Sequence, residues 1–181
     1  ITTSSGGGET PVLNGAAALP QGQESHVVVT YNMAPVARVA HLFVNGRRLA
    51  SGTATIALNT LNDINNWLGR SQWNDPYFTG QFNEFRIYNG VLTDEQIAIS
   101  AAAGPDVLGA TPGALQALRL ELSTNAITVG GRSALATALA SFANVQNVNV
   151  TTLATTRWTS SDPKVATVNA SGAIDAVSAG S

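Results

Sequence analysis

An all-β chain made of two sandwich modules is the fold class that three features of the sequence predict. The first is a β-branched run, Val27-Val28-Val29-Thr30, followed by a second apolar run over residues 38–44. Crowding at the β-carbon stiffens such residues and suits them to a pleated surface. The second is the dipeptide Asn45-Gly46 immediately after that run, the strongest short hairpin signal, because a type I′ turn needs positive φ at both central positions. The third is a series of short β-prone segments after residue 114. They recur at roughly 8–12-residue spacing with turn residues between them, as in a Greek-key sandwich.

Taken in order, residues 1–24 are rich in Gly, Ser, Thr, Pro and Gln and read as a flexible lead-in. A first strand covers 24–31 and a second 38–44. A third, 47–54, folds back on the second through Asn45-Gly46. Further strands are expected at 67–70 and 78–88. In the latter, Phe85 and Ile87 are assigned to the core, with Phe82, Glu84, Arg86 and Tyr88 on the other face. Thr93 opens a short helix with Gln96 three residues on, the pattern of a capping box, and Gly104-Pro105 ends it. The module spans 25–103.

Residues 104–114 hold two prolines and three glycines and read as a linker. The second module, 115–181, begins with an alternating strand: Leu118, Leu120 and Leu122 share one face, Arg119 and Glu121 the other. Strands follow at 126–129, 133–140, 148–152, 156–160, 166–169 and 173–176. The run 133–139 has helical propensity, but its neighbours are all strands and it is read as one too.

Composition excludes several classes of function. Only 11% of the 181 residues are charged and the net charge is −2. Lys164 is the single lysine, so no basic patch able to neutralise many phosphates can form, and a nucleic-acid partner is not expected. No apolar run is long enough to cross a membrane, so membrane insertion is not expected either. Cysteine is absent, which removes disulfides, thiolate metal sites and cysteine nucleophiles together.

Two stretches resemble known families. His26-Val27-Val28-Val29-Thr30-Tyr31, then Leu42-Phe43-Val44-Asn45-Gly46, Trp67-Leu68-Gly69-Arg70, and Phe78-Thr79-Gly80 through Phe85-Arg86-Ile87-Tyr88-Asn89 to Leu92-Thr93-Asp94-Glu95-Gln96-Ile97 resemble the C-terminal half of laminin-G-like domains. These belong to the concanavalin A-like lectin/glucanase superfamily of jelly rolls. In the second module, Trp158-Thr159-Ser160-Ser161-Asp162-Pro163-Lys164-Val165-Ala166-Thr167-Val168 with Gly172 and Ala179-Gly180 is similar to the signature of group-2 bacterial immunoglobulin-like domains. There Trp158 would anchor the core, Asp162-Pro163 would turn the chain, Val165 and Val168 would be core residues and Gly172 would turn a hairpin. The resemblances imply a partial jelly-roll sandwich followed by an immunoglobulin-like β-sandwich whose last strand is missing. Such a half jelly roll leaves an apolar face and open edges, so further domains or a second chain are expected to complete it.

Chemistry is sparse. Retaining glycosidases need two carboxyls about 5 Å apart, and Glu84 stands alone in its segment. Asp94 and Glu95 are first-turn acids favoured by the helix dipole. His26 and His41 have no carboxylate cluster near them in sequence and read as strand histidines. No catalytic residue is therefore expected. Trp67, Trp73 and Tyr77 gather around the loop 71–76, and Trp73, Asn74 and Tyr77 are the candidate ligand-binding residues, against the alternative that Trp73 caps the sandwich. The laminin-G resemblance further implies calcium at the rim, with Asp63 and Asp75 as candidate ligands. The alternative is that these residues, with Asn65, Asn66 and Asn74, make turns, and Asn83 stands where the family commonly has Asp.

The expected function is a non-catalytic binding or adhesion module pair of a secreted or cell-surface bacterial protein. Its first part would contact carbohydrate or an extracellular protein and its second would act as a spacer. The alternatives are an accessory region of a large secreted polysaccharide-active enzyme, or a stalk or fibre segment.

Overall fold

The β-branched triplet Val27-Val28-Val29 does form a strand. The computed structural model describes residues 13–15, 17–34, 38–54, 57–60, 64–71 and 74–180. In it, β1 (Val27–Asn32) pairs antiparallel with β2 (Val39–Val44), and β2 with β3 (Arg47–Thr53). The turn joining β2 and β3 has φ of 48° at Asn45 and 77° at Gly46, the two positive values that a type I′ turn demands. The Asn45 side chain also accepts from the His26 N–H at 2.9 Å, tying the turn to the start of β1.

This sheet has two differently furnished faces. Ala40, Leu42, Tyr31 and Ala50 gather on one side with Leu13 and Ala54. Leu13 is buried there, so the lead-in read as loose over 1–24 contributes a core residue. On the other face Phe43, 1% exposed, meets His41 edge-on at 6.2 Å between ring centroids. A bulge opposite Leu42 and Phe43 re-phases β3. Arg48 thereby pairs with Asp94, at the start of the helix.

Helix α1 (Asp94–Ala103) starts as predicted. Thr93 Oγ1 accepts from the Gln96 N–H at 3.2 Å, and Gln96 Oε1 accepts from the Thr93 N–H at 2.9 Å. Both halves of the capping box are present and Gly104 ends the helix. Ile97 and Ala98 are buried. The β2–β3 turn lies so close to α1 that a β-carbon on Gly46 would come within 2.9 Å of the Ala98 Cα.

The second sheet has the order β4 (Leu115–Leu122), β5 (Ala134–Phe142), β8 (Ala173–Ala176), β7 (Ala166–Val168), with β6 (Val148–Asn149) also on β5. Every pairing is antiparallel, so the all-β class holds, with one α-helix among the described residues. The segment with helical propensity is strand β5, its alternate alanines 134, 136, 138 and 140 buried. Thr151, fully buried, receives the Ala138 N–H on its hydroxyl at 3.0 Å, and its carbonyl accepts from Trp158 Nε1 at 3.0 Å. Asp162 and Gly172 turn the chain as expected: Val165 N–H donates to Asp162 O at 3.0 Å, and Gly172 has a φ of 79° in the β7–β8 hairpin.

The core crosses from one half to the other. Ala98 clusters with Val145, Val148 and Leu153, and Ile99, Ala102, Ala103, Ala110, Phe142 and Val150 pack around them. Residues 110–114, read as linker, hold Ala110 in that cluster, while Pro112 and Ala114 carbonyls accept from Asn144 and Ala143. Arg47 also reaches across, donating to the Ser171 carbonyl at 2.9 Å.

Several expected strands are not formed. Residues 67–70 and 78–88 are irregular, and Phe85 and Ile87, assigned to the core, are 62% and 84% exposed. A strand exists only where a neighbour accepts its backbone groups, and the first sheet ends at β1 and β3, so this segment finds no ladder. In the second half, 126–129 and 156–160 are not strands, and 148–152 is shortened to Val148–Asn149. Thr151 and Trp158 there are held by side-chain bonds instead.

His41 is a satisfied strand histidine, its Nδ1 2.8 Å from Ser51 Oγ. The Nδ1 of His26 is buried without a partner. Burial, with Arg86 adding repulsion, holds the His26 pKa below its ordinary 6.5. Burial chiefly, and Arg48, act the same way on His41, against an opposing pull from Asp94. Below pH 6.5 the unfolded chain takes up protons that the folded chain resists. Stability is thus fully present above that pH and falls as the pH drops toward the depressed folded values. Thermal unfolding should show Tm declining between pH 7 and about pH 5, and His26→Gln should flatten the decline. Equal slopes for the two proteins would count against this.

Candidate functional site

Residues 64–71 and 74–80 belong to an exposed loop whose shape follows from one glycine. Gly69 has a φ of 75°, a conformation open to glycine without penalty, and this reverses the chain after Trp67-Leu68. The Phe78 N–H then donates to the Gly69 carbonyl at 2.8 Å, closing the loop at its base. Arg70 is held between two rings: its guanidinium carbon is 4.4 Å from the Trp67 ring centroid and 5.6 Å from that of Tyr77. Both distances fall within the reach of a cation–π contact. Alongside, the rings of Phe78 and Phe82 meet in a tilted contact, 5.2 Å between centroids and 40° between planes.

Polar groups border this aromatic cluster. Ser71 Oγ donates to Asp75 Oδ2 at 2.6 Å, fixing the carboxylate on the loop, and Asn74 is exposed beside it. Trp67 is 42% exposed and Tyr77 68%. Ring surface, a guanidinium and a carboxylate thus meet on one accessible loop. Flat apolar faces flanked by hydrogen-bonding groups suit ligands with one apolar face and a polar rim.

Of the residues picked from the sequence, Tyr77 and Asp75 make contacts within this loop, and Asn74 is exposed on it. Trp73 and Asp63 lie outside the described residues. Arg70 was not among the candidates, although its position three residues after Trp67 and directly after the turning Gly69 was a usable signal. The described residues of the loop supply one carboxylate, Asp75, with an oxygen already taken by Ser71. Calcium takes six to eight oxygen ligands, from carboxylates, amide and backbone carbonyls and water, and the second candidate carboxylate, Asp63, lies outside the described residues. Among the described residues there is also no group of three or more His, Asp or Glu side chains able to hold a metal.

Elsewhere, three carboxylates have arginine partners. Glu84 pairs with Arg86, Asp94 with Arg48 and Glu121 with Arg119. A small concavity between the β2–β3 turn, α1 and the β5–β6 turn is lined by Asn45, Asn147 and Asn149 over an alanine floor. The turns account for these asparagines. Asn45 and Asn147 have positive φ, which asparagine tolerates, and Asn149 Oδ1 accepts from the Thr151 N–H at 3.1 Å.

A laminin-G family model of the Concanavalin A-like lectin/glucanases superfamily matches residues 1–98, more than half of the 181-residue chain. The chain belongs to this superfamily. Comparison with curated proteins and with solved structures gives no match. A domain of this kind fits a binding module; the laminin-G-like fold is usually non-catalytic, although the superfamily also includes glycosidases.

Proposed function

We propose that residues 25–103 are a non-catalytic carbohydrate-binding module of a secreted or cell-surface bacterial protein, with 115–181 as an immunoglobulin-like spacer. The observation that carries this reading is the exposed Trp67–Arg70–Tyr77 cluster, with Asp75 and Asn74 on the same loop. A sugar ring offers an apolar face to stack on an aromatic side chain and hydroxyls that bond to a carboxylate, an amide or a guanidinium. The Trp158-to-Gly180 signature supports the spacer reading, as do the Asp162 and Gly172 turns.

The exposure of Phe78, Phe82, Phe85 and Ile87 supports the further reading that another domain or chain completes the first sandwich. Large apolar side chains exposed in this number are unusual on an isolated domain. The family resemblance adds calcium held through Asp63 and Asp75, in which case both carboxylates would be needed.

A glycan array on the full chain tests the ligand. Binding to at least one glycan class is expected, and Tyr77→Ala should weaken it about tenfold. Tyr77 is exposed, so its loss should leave the fold intact. A flat array removes the carbohydrate reading and leaves an extracellular protein partner. A Tm unchanged between calcium and chelator removes the calcium.

A further inference from the structure

Strand β4 is the open end of its sheet among the described residues, and it is unusual on both faces. All eight of its residues are exposed, including Leu118, Leu120 and Leu122 at 62%, 59% and 54%. Edge strands are normally blunted by charges or proline on the side facing solvent. Here the charges, Arg119 and Glu121, are paired with each other on the opposite face from the leucines.

The ladder shows which backbone groups are free. The Ser123 N–H donates to the Leu135 carbonyl at 2.9 Å, in the same register that sets Glu121 opposite Thr137 and Arg119 opposite Leu139. Antiparallel ladders alternate. Arg119, Glu121 and Ser123 therefore spend their backbone groups on β5, whereas Leu118, Leu120 and Leu122 turn theirs to the open edge.

We infer that β4 pairs antiparallel with β4 of a second copy of this chain, about a two-fold axis through Leu120. In that register Leu120 faces the partner's Leu120 as a hydrogen-bonded pair, and Leu118 faces the partner's Leu122. These are the residues whose backbone groups are free. Arg119 then stands opposite the partner's Glu121, and Glu121 opposite the partner's Arg119, at the close non-hydrogen-bonded positions where cross-strand charge pairs act most strongly. The leucines form a continuous stripe on the other face. Moving the axis one residue either way sets arginine against arginine or glutamate against glutamate. Charge complementarity therefore selects this single register, and the contact closes on itself as an isologous dimer.

Sedimentation velocity of the full chain across a concentration series tests this. A concentration-dependent dimer is expected. Arg119→Glu should weaken it about tenfold or more, since two attractive cross-strand pairs become repulsive. The double exchange R119E/E121R should restore dimerisation, because the same register again sets a carboxylate opposite a guanidinium, with the two charges swapped. Both positions are exposed, and circular dichroism of each variant checks that the fold is kept. A chain that stays monomeric at about 1 mM, a dimer indifferent to Arg119→Glu, or a double exchange that fails to rescue would overturn the inference. So would a monomer whose Leu118, Leu120 and Leu122 amides are protected from hydrogen exchange, since another segment would then cover the edge.

Discussion

Phe43→Ala is expected to lower the stability of the first sheet by about 3–5 kcal/mol. The ring is 1% exposed on β2, between the cross-strand positions of Val28 and Arg48, and it meets His41 edge-on. Deleting it forfeits the transfer energy of a large aromatic and leaves a cavity. Val29→Ala is the control: Val29 is 46% exposed on the same sheet, so its truncation should cost about 1 kcal/mol or less. Urea unfolding followed by near-ultraviolet circular dichroism measures both. Comparable losses for the two variants would show that the Phe43 face is not packed as described.

In the other half, Gly172→Ala is expected to cost about 2–4 kcal/mol. Two effects combine. At a φ of 79°, any β-carbon approaches the following carbonyl, for about 1–2 kcal/mol. In addition, a β-carbon here would be driven into the Ala136 carbonyl oxygen and to 3.1 Å from Thr151 Cγ2. Neither neighbour can yield easily. The Ala136 N–H donates to the Gly172 carbonyl at 2.8 Å, and the Thr151 hydroxyl accepts from Ala138. Gly130→Ala separates the two effects, since Gly130 has a φ of 72° but no atom within 4 Å of the added carbon. Thermal unfolding of the pair should show the larger drop for Gly172→Ala. An equal drop would mean that backbone conformation alone decides the cost.

What the chain announces about itself is local. Asn45-Gly46 specified its turn because the required φ values belong to those two residue types and to nothing farther away. Thr93 with Gln96 specified the helix start in the same way, as both partners of the capping box lie within one turn. Asp162 and Gly172 are of this kind, and the β-branched and alternating runs found their strands. The candidate site was legible only in part. Tyr77 and Asn74 were marked by aromatic residues around a polar loop and Asp75 by the family resemblance, but Arg70 became a site residue only when Gly69 folded it back onto Trp67 and Tyr77.

The segment 78–88 is the opposite case. Its apolar residues spell a strand, and Phe85 and Ile87 spell a core, yet both are exposed. Strand and core are properties of pairs: they require a ladder partner and a covering face, which no run of eleven residues carries within itself. Tertiary structure also decided that α1 closes over Val145, Val148 and Leu153 and joins the two halves in one cluster, and that β4 is left at the edge of its sheet. By itself, then, the sequence determined the all-β class, the turns and the helix cap, where the physics acts over three or four residues. The structure alone decided which surfaces are covered, because burial depends on contacts between segments tens of residues apart.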